Sequence, residues 1–265
     1  MSSAANIRLI PGFMWYGLTI DCPISSAIAP MRTGSTGGFR RPGVIGGHMT
    51  TRDDEGHDDH ERARRRLVDR LRRRTDVSEA TLAAIEAVPR HEFVPPARRS
   101  AAYADRPLPI GHGQTISAPH MVAIMVDLIA VDRGDRVLEI GTGCGYHAAV
   151  VAEIVGPGNV HSVEYVPELA DAARERLAGL GYDVVVHVGD GRAGCPSAGP
   201  FDASYLTCAA ADGVPDPIVE GTRPGGHVVA PVGADGGQRL VRLTVRADGD
   251  VDREDHGGVR FVPLQ

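Results

Sequence analysis

A short glycine-rich string carries the clearest chemical signal in the chain. Residues 137–146 read VLEIGTGCGY, an apolar run followed by three glycines and then a helical pattern. The glycines are Gly141, Gly143 and Gly145. Glycine at such a turn permits positive φ and lets a ligand approach the backbone closely. Because the spacing is G-x-G-x-G and not the G-x-G-x-x-G of dinucleotide sites, the string alone does not specify its ligand.

The residues between and before the glycines narrow the choice of ligand. Glu139 stands two positions before the first glycine, where a carboxylate is unsuited to a pyrophosphate. It suits a cationic ligand, contacted directly or through a water. Thr142 and Cys144 fill the two remaining loop positions. We therefore expect this loop to bind the methionine part of S-adenosylmethionine.

Two more acids follow the next two apolar runs. Glu164 ends one run, where a carboxylate can accept both ribose hydroxyl protons of a nucleotide. Asp190 stands between Gly189 and Gly191 after the following run, where it can accept the exocyclic amine of adenine. Each acid taken singly could also be a loop carboxylate that caps a helix. All three in order, at the ends of predicted strands, favour S-adenosyl-L-methionine as the cofactor.

The elements that must position these residues alternate between strands and helices. Strands are predicted at 136–140, 160–164, 183–188, 202–207 and 227–232, with a closing pair at 240–245 and 259–262. Helices are predicted at 146–155 and 167–180. Strands alternating with helices imply a largely parallel α/β sheet covered on both faces.

Upstream, the pattern is helical. Helices are predicted at 61–74, about 78–88 and about 119–129, with Asp76 and Glu79 as a capping box for the second. The segment 90–113, rich in proline and arginine, is predicted to be an irregular loop.

The chain divides into a tail and one domain. Residues 1–48 have no helical or strand period and are predicted to be a disordered extension. Met31 and Met49 are alternative starts, so the extension is either functional or artefactual. Residues 49–265 form one domain, with a helical part at about 58–130 and a cofactor-binding sheet at about 134–265.

Composition excludes several classes of protein. The formal net charge of −6 argues against a nucleic-acid binder. No apolar run approaches the ~20 residues of a membrane span. The four cysteines form no C-x-x-C pair, so we expect no metal site and a reducing, cytoplasmic location. The stretch 57–60, HDDH, could chelate a metal weakly, but a solvated helix start is the simpler interpretation.

Several longer motifs resemble a known family, the protein-L-isoaspartate O-methyltransferases. The resemblance covers roughly residues 87–264. Its motifs are VPRHEFVP at 88–95, YADRPLPIG at 103–111, GQTISAPH at 113–120, LEIGTGCGY at 138–146, GDG at 189–191 and RFVPL at 260–264. The Q-T-I-S-x-P string is the most specific, since it is not general among methyltransferases.

The resemblance implies a fold, an activity and partners. The fold would be a seven-stranded, mostly parallel sheet of the Rossmann-like class I methyltransferase type, with N-terminal helices. The activity would be transfer of a methyl group from S-adenosylmethionine to the α-carboxylate of L-isoaspartyl residues, which repairs damaged proteins and peptides. We expect a monomer. A related carboxyl methyltransferase and a non-catalytic S-adenosylmethionine- or peptide-binding protein remain as alternatives.

The resemblance also assigns residues on the substrate side. Ser117 is the family's active-site serine, and Thr115, Ile116 and Val262 join it in binding the peptide. The alternative for Ser117 is a cap on the helix that begins at Pro119. Cysteine in the glycine loop and at Cys208 departs from the family pattern and raises the prospect of oxidation sensitivity.

Overall fold

A seven-stranded sheet organises the part of the chain that the computed structural model describes, residues 52–234 and 236–265. The predicted extension at 1–48 lies outside the described residues. A small hairpin of β1 (Leu108–Gly111) and β2 (Gln114–Ile116) precedes the sheet. The seven strands are β3 (Val137–Ile140), β4 (Val160–Glu164), β5 (Val184–Val188), β6 (Phe201–Leu206), β7 (Thr222–Val232), β8 (Arg239–Val245) and β9 (Val251–Gly258).

The order in which the chain forms the strands reverses direction at the centre of the sheet. The order is β5-β4-β3-β6-β7-β8-β9, with β5 through β7 parallel and the last two strands antiparallel. The chain leaves β3 towards β4 on one side and reaches β6 on the other. Ligands of open α/β sheets bind at such a reversal, beyond the carboxyl ends of the strands. The class I methyltransferase fold is confirmed.

In the part of the chain that the structure describes, six α-helices pack against the sheet. They are α1 (Arg52–Arg74), α2 (Glu79–Ala87), α3 (Pro119–Ile129), α4 (Tyr146–Val155), α5 (Pro167–Gly179) and α6 (Asp216–Glu220). Helices α1 to α4 pack into one buried apolar cluster with one face of the sheet, and α6 belongs to a second cluster on the other face. The predicted apolar stripe of α1, Leu67, Val68 and Leu71, is buried in the first cluster as expected. Within the described range, no helix has the length and apolar character needed to cross a membrane.

Two local predictions in the N-terminal part of the domain are wrong. Segment 90–113 is not irregular, since it contains two 3₁₀ helices (Arg90–Phe93 and Pro96–Ala101) and strand β1. The cap of α2 is Ser78, whose hydroxyl accepts the N–H of Thr81, and not the Asp76–Glu79 box. Glu79 instead pairs with Arg72 across the turn.

The closing strand also differs from its prediction. The partner of β8 is Val251–Gly258, directly after a short turn, and not 259–262. A short hairpin turn makes the nearest following residues pair first, even though those residues are charged. The terminal segment instead runs beside 209–210, where Ala209 N–H donates to Val262 O and Leu264 N–H donates to Ala209 O.

Candidate active site

A cavity opens at the carboxyl ends of β3, β4 and β6, and we call it the inner cavity. Its floor is the glycine loop, residues 141–144. Its walls include the end of β4, residues 114–117 of the β2 segment and the terminal residues 262–265. The structure therefore brings together segments that lie more than a hundred residues apart in the chain.

Glycine is required at the first position of the loop. Gly141 has φ of +96°, and a Cβ there would collide with the Thr207 hydroxyl. That hydroxyl donates to the Gly141 carbonyl oxygen at 2.6 Å. Because β6 lies directly beside β3, the residue that follows β6 is held against the loop. Thr207 is a site residue that the sequence analysis missed, although the parallel pairing of these two strands would have pointed to it.

Glu164, which was expected to bind the ribose, lies beside this loop. Its Oε2 accepts the N–H of Gly143 at 2.8 Å, and its Oε1 accepts the N–H of Val166 at 3.0 Å. Two backbone donors hold the carboxylate in one orientation, and the residue lines the inner cavity. Six of the ten predicted cofactor residues line it: Gly141, Thr142, Gly143, Cys144, Glu164 and Gly191.

Glu139 does not contact the cavity, which corrects the expectation that it meets a cationic ligand there. It is fully buried. Its neighbours across the sheet satisfy both of its oxygens: the Tyr205 hydroxyl donates to Oε1 at 2.9 Å, and the Ser162 hydroxyl donates to Oε2. Ser162 also hydrogen-bonds the Thr142 hydroxyl, so the network ends at the glycine loop. Alternation along β3 turns the Glu139 side chain to the same face as Val137, the face on which α1 to α4 pack.

Three other predicted residues lie beside the inner cavity without lining it. Gly145 is the left-handed N-cap of α4, with φ of +88°. Gly189 continues the ladder, donating its N–H to Glu164 O. Asp190 caps a short 3₁₀ turn by accepting the N–H of Arg192, and its side chain is half exposed. Nowhere in residues 52–234 and 236–265 do three or more acidic, histidine or cysteine side chains gather as a metal site would require.

A second depression, which we call the outer groove, adjoins the inner cavity. Its rim includes the exposed residues Pro107, Gly258 and Arg260. Four residues line both the cavity and the groove: Thr115, Ser117, Thr207 and Val262. Three of these were predicted to bind substrate. The fourth predicted residue, Ile116, lines only the inner cavity and is buried.

Ser117 lies at the junction and does not cap a helix. The N-cap of α3 is Ala118, with no side-chain capping bond, so the capping alternative is wrong. Among the described residues, the Ser117 hydroxyl has no hydrogen-bond partner, whereas its carbonyl accepts from Arg90. The hydroxyl is therefore available to a ligand that lies between cavity and groove.

Two aromatic side chains of the inner cavity were also missed. His147, in the first turn of α4, is buried, and neither ring nitrogen has a hydrogen-bond partner within the described part of the chain. Burial lowers the His147 pKa to about 3, so the ring is neutral. Tyr165, directly after Glu164, lines the cavity and is exposed. Buried groups without partners at a cavity wall indicate that the site is completed by a polar ligand.

The two cysteines of the inner cavity are not reactive groups. Cys144 and Cys208 are buried and free. Burial raises the pKa of both thiols, and that of Cys208 reaches about 12 with help from the nearby Glu164 and Glu139 carboxylates. Since the thiolate is the form that oxidants attack, the expected oxidation sensitivity does not fit this environment.

Comparisons with known proteins agree with this geometry. The family model described as protein-L-isoaspartate(D-aspartate) O-methyltransferase matches residues 62–265. Protein-L-isoaspartate O-methyltransferase 2 of Archaeoglobus fulgidus is 53% identical over 209 residues, covering 78% of this chain and 94% of that protein. The protein-L-isoaspartate O-methyltransferase of Methanopyrus kandleri is 53% identical over 211 residues, covering 77% of this chain and 91% of that protein.

Solved structures give the same result. A protein-L-isoaspartate O-methyltransferase aligns with a TM-score of 0.70 at 30% identity, over 76% of this chain and 66% of that one. A Plasmodium falciparum protein described as a putative protein-L-isoaspartate O-methyltransferase, in complex with S-adenosyl-L-homocysteine, aligns with a TM-score of 0.66 at 23% identity, over 76% of this chain and 98% of that one.

The sheet order and the glycine loop at its reversal define a protein of the class I methyltransferase type. Within that class, the family-model match over residues 62–265 and the two relatives that are 53% identical in sequence identify the family. The chain belongs to the protein-L-isoaspartate O-methyltransferase family.

The buried Glu139 makes stability depend on pH in a specific direction. Burial raises its pKa from 4.5 to about 8. Between these values the folded protein holds a proton that the unfolded chain has lost. The free energy of unfolding therefore falls as the pH rises through this window, by up to about 1.4 kcal/mol per pH unit from this group.

Glu139→Gln should remove this dependence, because the amide does not titrate. We expect the variant to become more stable relative to the unaltered protein as pH rises from about 5 to about 8, measured by urea unfolding. Glu175→Gln, at an exposed position of α5, is the control and should leave the pH profile unchanged. Parallel profiles for Glu139→Gln and the unaltered protein would contradict a raised pKa.

Proposed function

We propose that this chain transfers a methyl group from S-adenosylmethionine to the α-carboxylate of L-isoaspartyl residues in damaged proteins and peptides. The observation that carries the proposal is the junction between the inner cavity and the outer groove at Ser117, in a chain of this family. One ligand can occupy the cavity while an extended peptide lies in the groove. The two would meet only at the junction.

The residues of the inner cavity fit S-adenosylmethionine. Glu164 would accept the ribose hydroxyls, and the backbone of residues 141–144 would hold the amino-acid part. Gly191 and Asp190, at the rim, would lie beside the adenine. The unpartnered nitrogens of His147 are suited to a polar group of the ligand. When bound, S-adenosylmethionine supplies an electrophilic methyl group on a sulfonium.

The residues of the protein then have to position the substrate carboxylate and the methyl group relative to each other. A carboxylate with pKa ~4 is already ionised at neutral pH, so no general base is needed. The Ser117 hydroxyl would donate one hydrogen bond that orients the carboxylate towards the cavity. Thr115 and Val262 would hold the flanking peptide, and Ile116 would contribute through its buried position at the cavity wall. Alignment of the reacting atoms and exclusion of water supply the rate.

The two alternative functions leave features of the site unexplained. A methyltransferase for a small carboxylate has no need of a surface groove continuous with the cavity. A non-catalytic binding protein has no need of an unpartnered hydroxyl at the junction. The named relatives favour protein repair over both alternatives.

Five finer points belong to the same proposal. We propose a cytoplasmic protein, which the buried thiols of Cys144 and Cys208 support. We propose a monomer, since the exposed large apolar side chains of the described residues are few: Tyr165, Leu180, Val185, Val188 and Val251. The acidic net charge supports the absence of nucleic-acid partners, and the composition supports the absence of membrane partners. We also propose that residues 1–48 are an extension dispensable for activity, because the family match starts at residue 62.

Glu164→Ala tests the cofactor site. Losing hydrogen bonds to a charged group costs about 1.5–3 kcal/mol, so affinity for S-adenosylhomocysteine should fall roughly tenfold or more by calorimetry. Glu168→Ala removes an exposed carboxylate four residues later and should bind normally. Equal affinity in the two variants would remove Glu164 from the site.

Methylation of paired peptides tests the activity itself. An isoaspartyl peptide and its aspartyl twin differ only in which carboxylate joins the backbone. We expect methyl incorporation into the first and almost none into the second. The same rates are expected for a chain that begins at Met49. Equal labelling of both peptides would favour a less specific carboxyl methyltransferase, and no labelling would favour a binding protein.

Ser117→Ala tests the orienting hydroxyl. Removing one oriented donor costs at most about 10²–10³ in rate. We expect a smaller loss, because the carboxylate loses charge as it is methylated and its hydrogen bond weakens towards the transition state. S-adenosylhomocysteine affinity should be retained. Mass spectrometry during turnover should find no modified serine: a covalent adduct on Ser117, or an unchanged rate in the variant, would each refute this role.

A further inference from the structure

A buried arginine lies directly behind the residue at the junction. Arg90, in the first 3₁₀ helix, has no exposed surface. Its Nε donates to Ala102 O at 2.8 Å, and its Nη2 donates to Ser117 O at 2.7 Å. A guanidinium presents its donors in a rigid planar fork. The two bonds therefore fix the Ser117 backbone relative to the end of the second 3₁₀ helix.

The same guanidinium also contacts the wall of the inner cavity. Its Cζ lies 4.7 Å from the centroid of the Tyr146 ring, a cation–π contact. Tyr146 is the first residue of α4 and lines the cavity. One side chain thus connects the loop of the outer groove to the helix that follows the glycine loop.

Burying the Arg90 guanidinium costs folding free energy, so a contribution to stability does not account for its position. The ionisable groups closest to Arg90 are Tyr146, Cys144 and Tyr103, and burial raises the pKa of each, so all three are neutral. Among the residues whose side chains the structure describes, 59–234 and 236–265, no carboxylate forms an ion pair with the guanidinium. A buried charge without a counter-ion opposes folding, whereas an apolar side chain of similar length would not.

We propose that Arg90 is a positioning residue for methyl transfer. By holding the Ser117 carbonyl against α4, it sets where the Ser117 hydroxyl lies relative to the cofactor's methyl group. This inference rests on the proposed function. A displacement of about 1 Å at a reacting centre can cost about 10²-fold in rate, so the effect should be on kcat and not on cofactor affinity.

Two substitutions distinguish the effect of the planar guanidinium geometry from the effect of its positive charge. Arg90→Lys keeps the positive charge but loses the paired hydrogen bonds to the two carbonyls, and Arg90→Met loses both the charge and the hydrogen bonds. For each, kcat with the isoaspartyl peptide should fall by about 10²-fold, and the Kd for S-adenosylhomocysteine should stay within about twofold. Arg99→Met is the control, since this half-exposed arginine of the next 3₁₀ helix only pairs with Glu92. It should match the unaltered protein.

Assays are run well below each variant's Tm, so that a folding defect is not read as a catalytic one. Normal kcat in Arg90→Lys overturns the proposal, and so does a loss of cofactor affinity as large as the loss of rate. If neither variant folds, side-chain NMR of ¹⁵N-arginine protein decides. The Arg90 resonances should shift when isoaspartyl peptide joins the S-adenosylhomocysteine complex, and unshifted resonances overturn the proposal. If the unaltered protein methylates no peptide, the proposed function has failed, independently of these outcomes.

Discussion

The parallel pairing of β3 with β4 on one side and β6 on the other is the constraint on which the site depends. It delivers three strand ends to one edge, and each end contributes one part of the inner cavity. The glycine loop follows β3, Glu164 ends β4, and Thr207 follows β6. Because these positions are set by backbone ladders, the cavity does not depend on flexible side chains for its shape.

The substrate side is built differently. The segment with Ser117 belongs to no strand of the large sheet, and it is held by one guanidinium and by the start of α3. The terminal segment is fixed by Gln238, whose side chain bonds the Phe261 backbone in both directions. Side-chain bonds and a few backbone bonds outside the central ladders thus hold the groove, while the central strands hold the cavity. Substitutions far from the sheet can alter peptide placement without disturbing cofactor binding.

The sequence predicted what local patterns determine. Glycines between a buried strand and a helix identified the loop, and an acid at the next strand end identified Glu164. The order of elements predicted the sheet. The Q-T-I-S-x-P string identified Ser117, although no spacing rule explains why that residue should meet the cavity.

The features that the sequence did not predict are non-local. Glu139 looked like a cavity residue by its distance from Gly141, but cross-strand partners decide which face it occupies. Thr207 becomes a site residue only because β6 and β3 are neighbours. Residues 259–262 have strand-forming side chains, yet the charged residues next to the turn pair with β8 first. Arg90 begins the segment that was predicted to be an irregular loop, and only its tertiary contacts show it to be buried.

The two cysteines of the inner cavity have a practical consequence. Both remain thiols over the whole physiological pH range, because burial and neighbouring carboxylates oppose ionisation. Alkylating reagents, which require thiolate, should therefore react slowly with the folded protein and faster once it opens. The rate of alkylation at Cys144, followed by peptide mass spectrometry, therefore reports local unfolding of the glycine loop without any substrate, cofactor or engineered label.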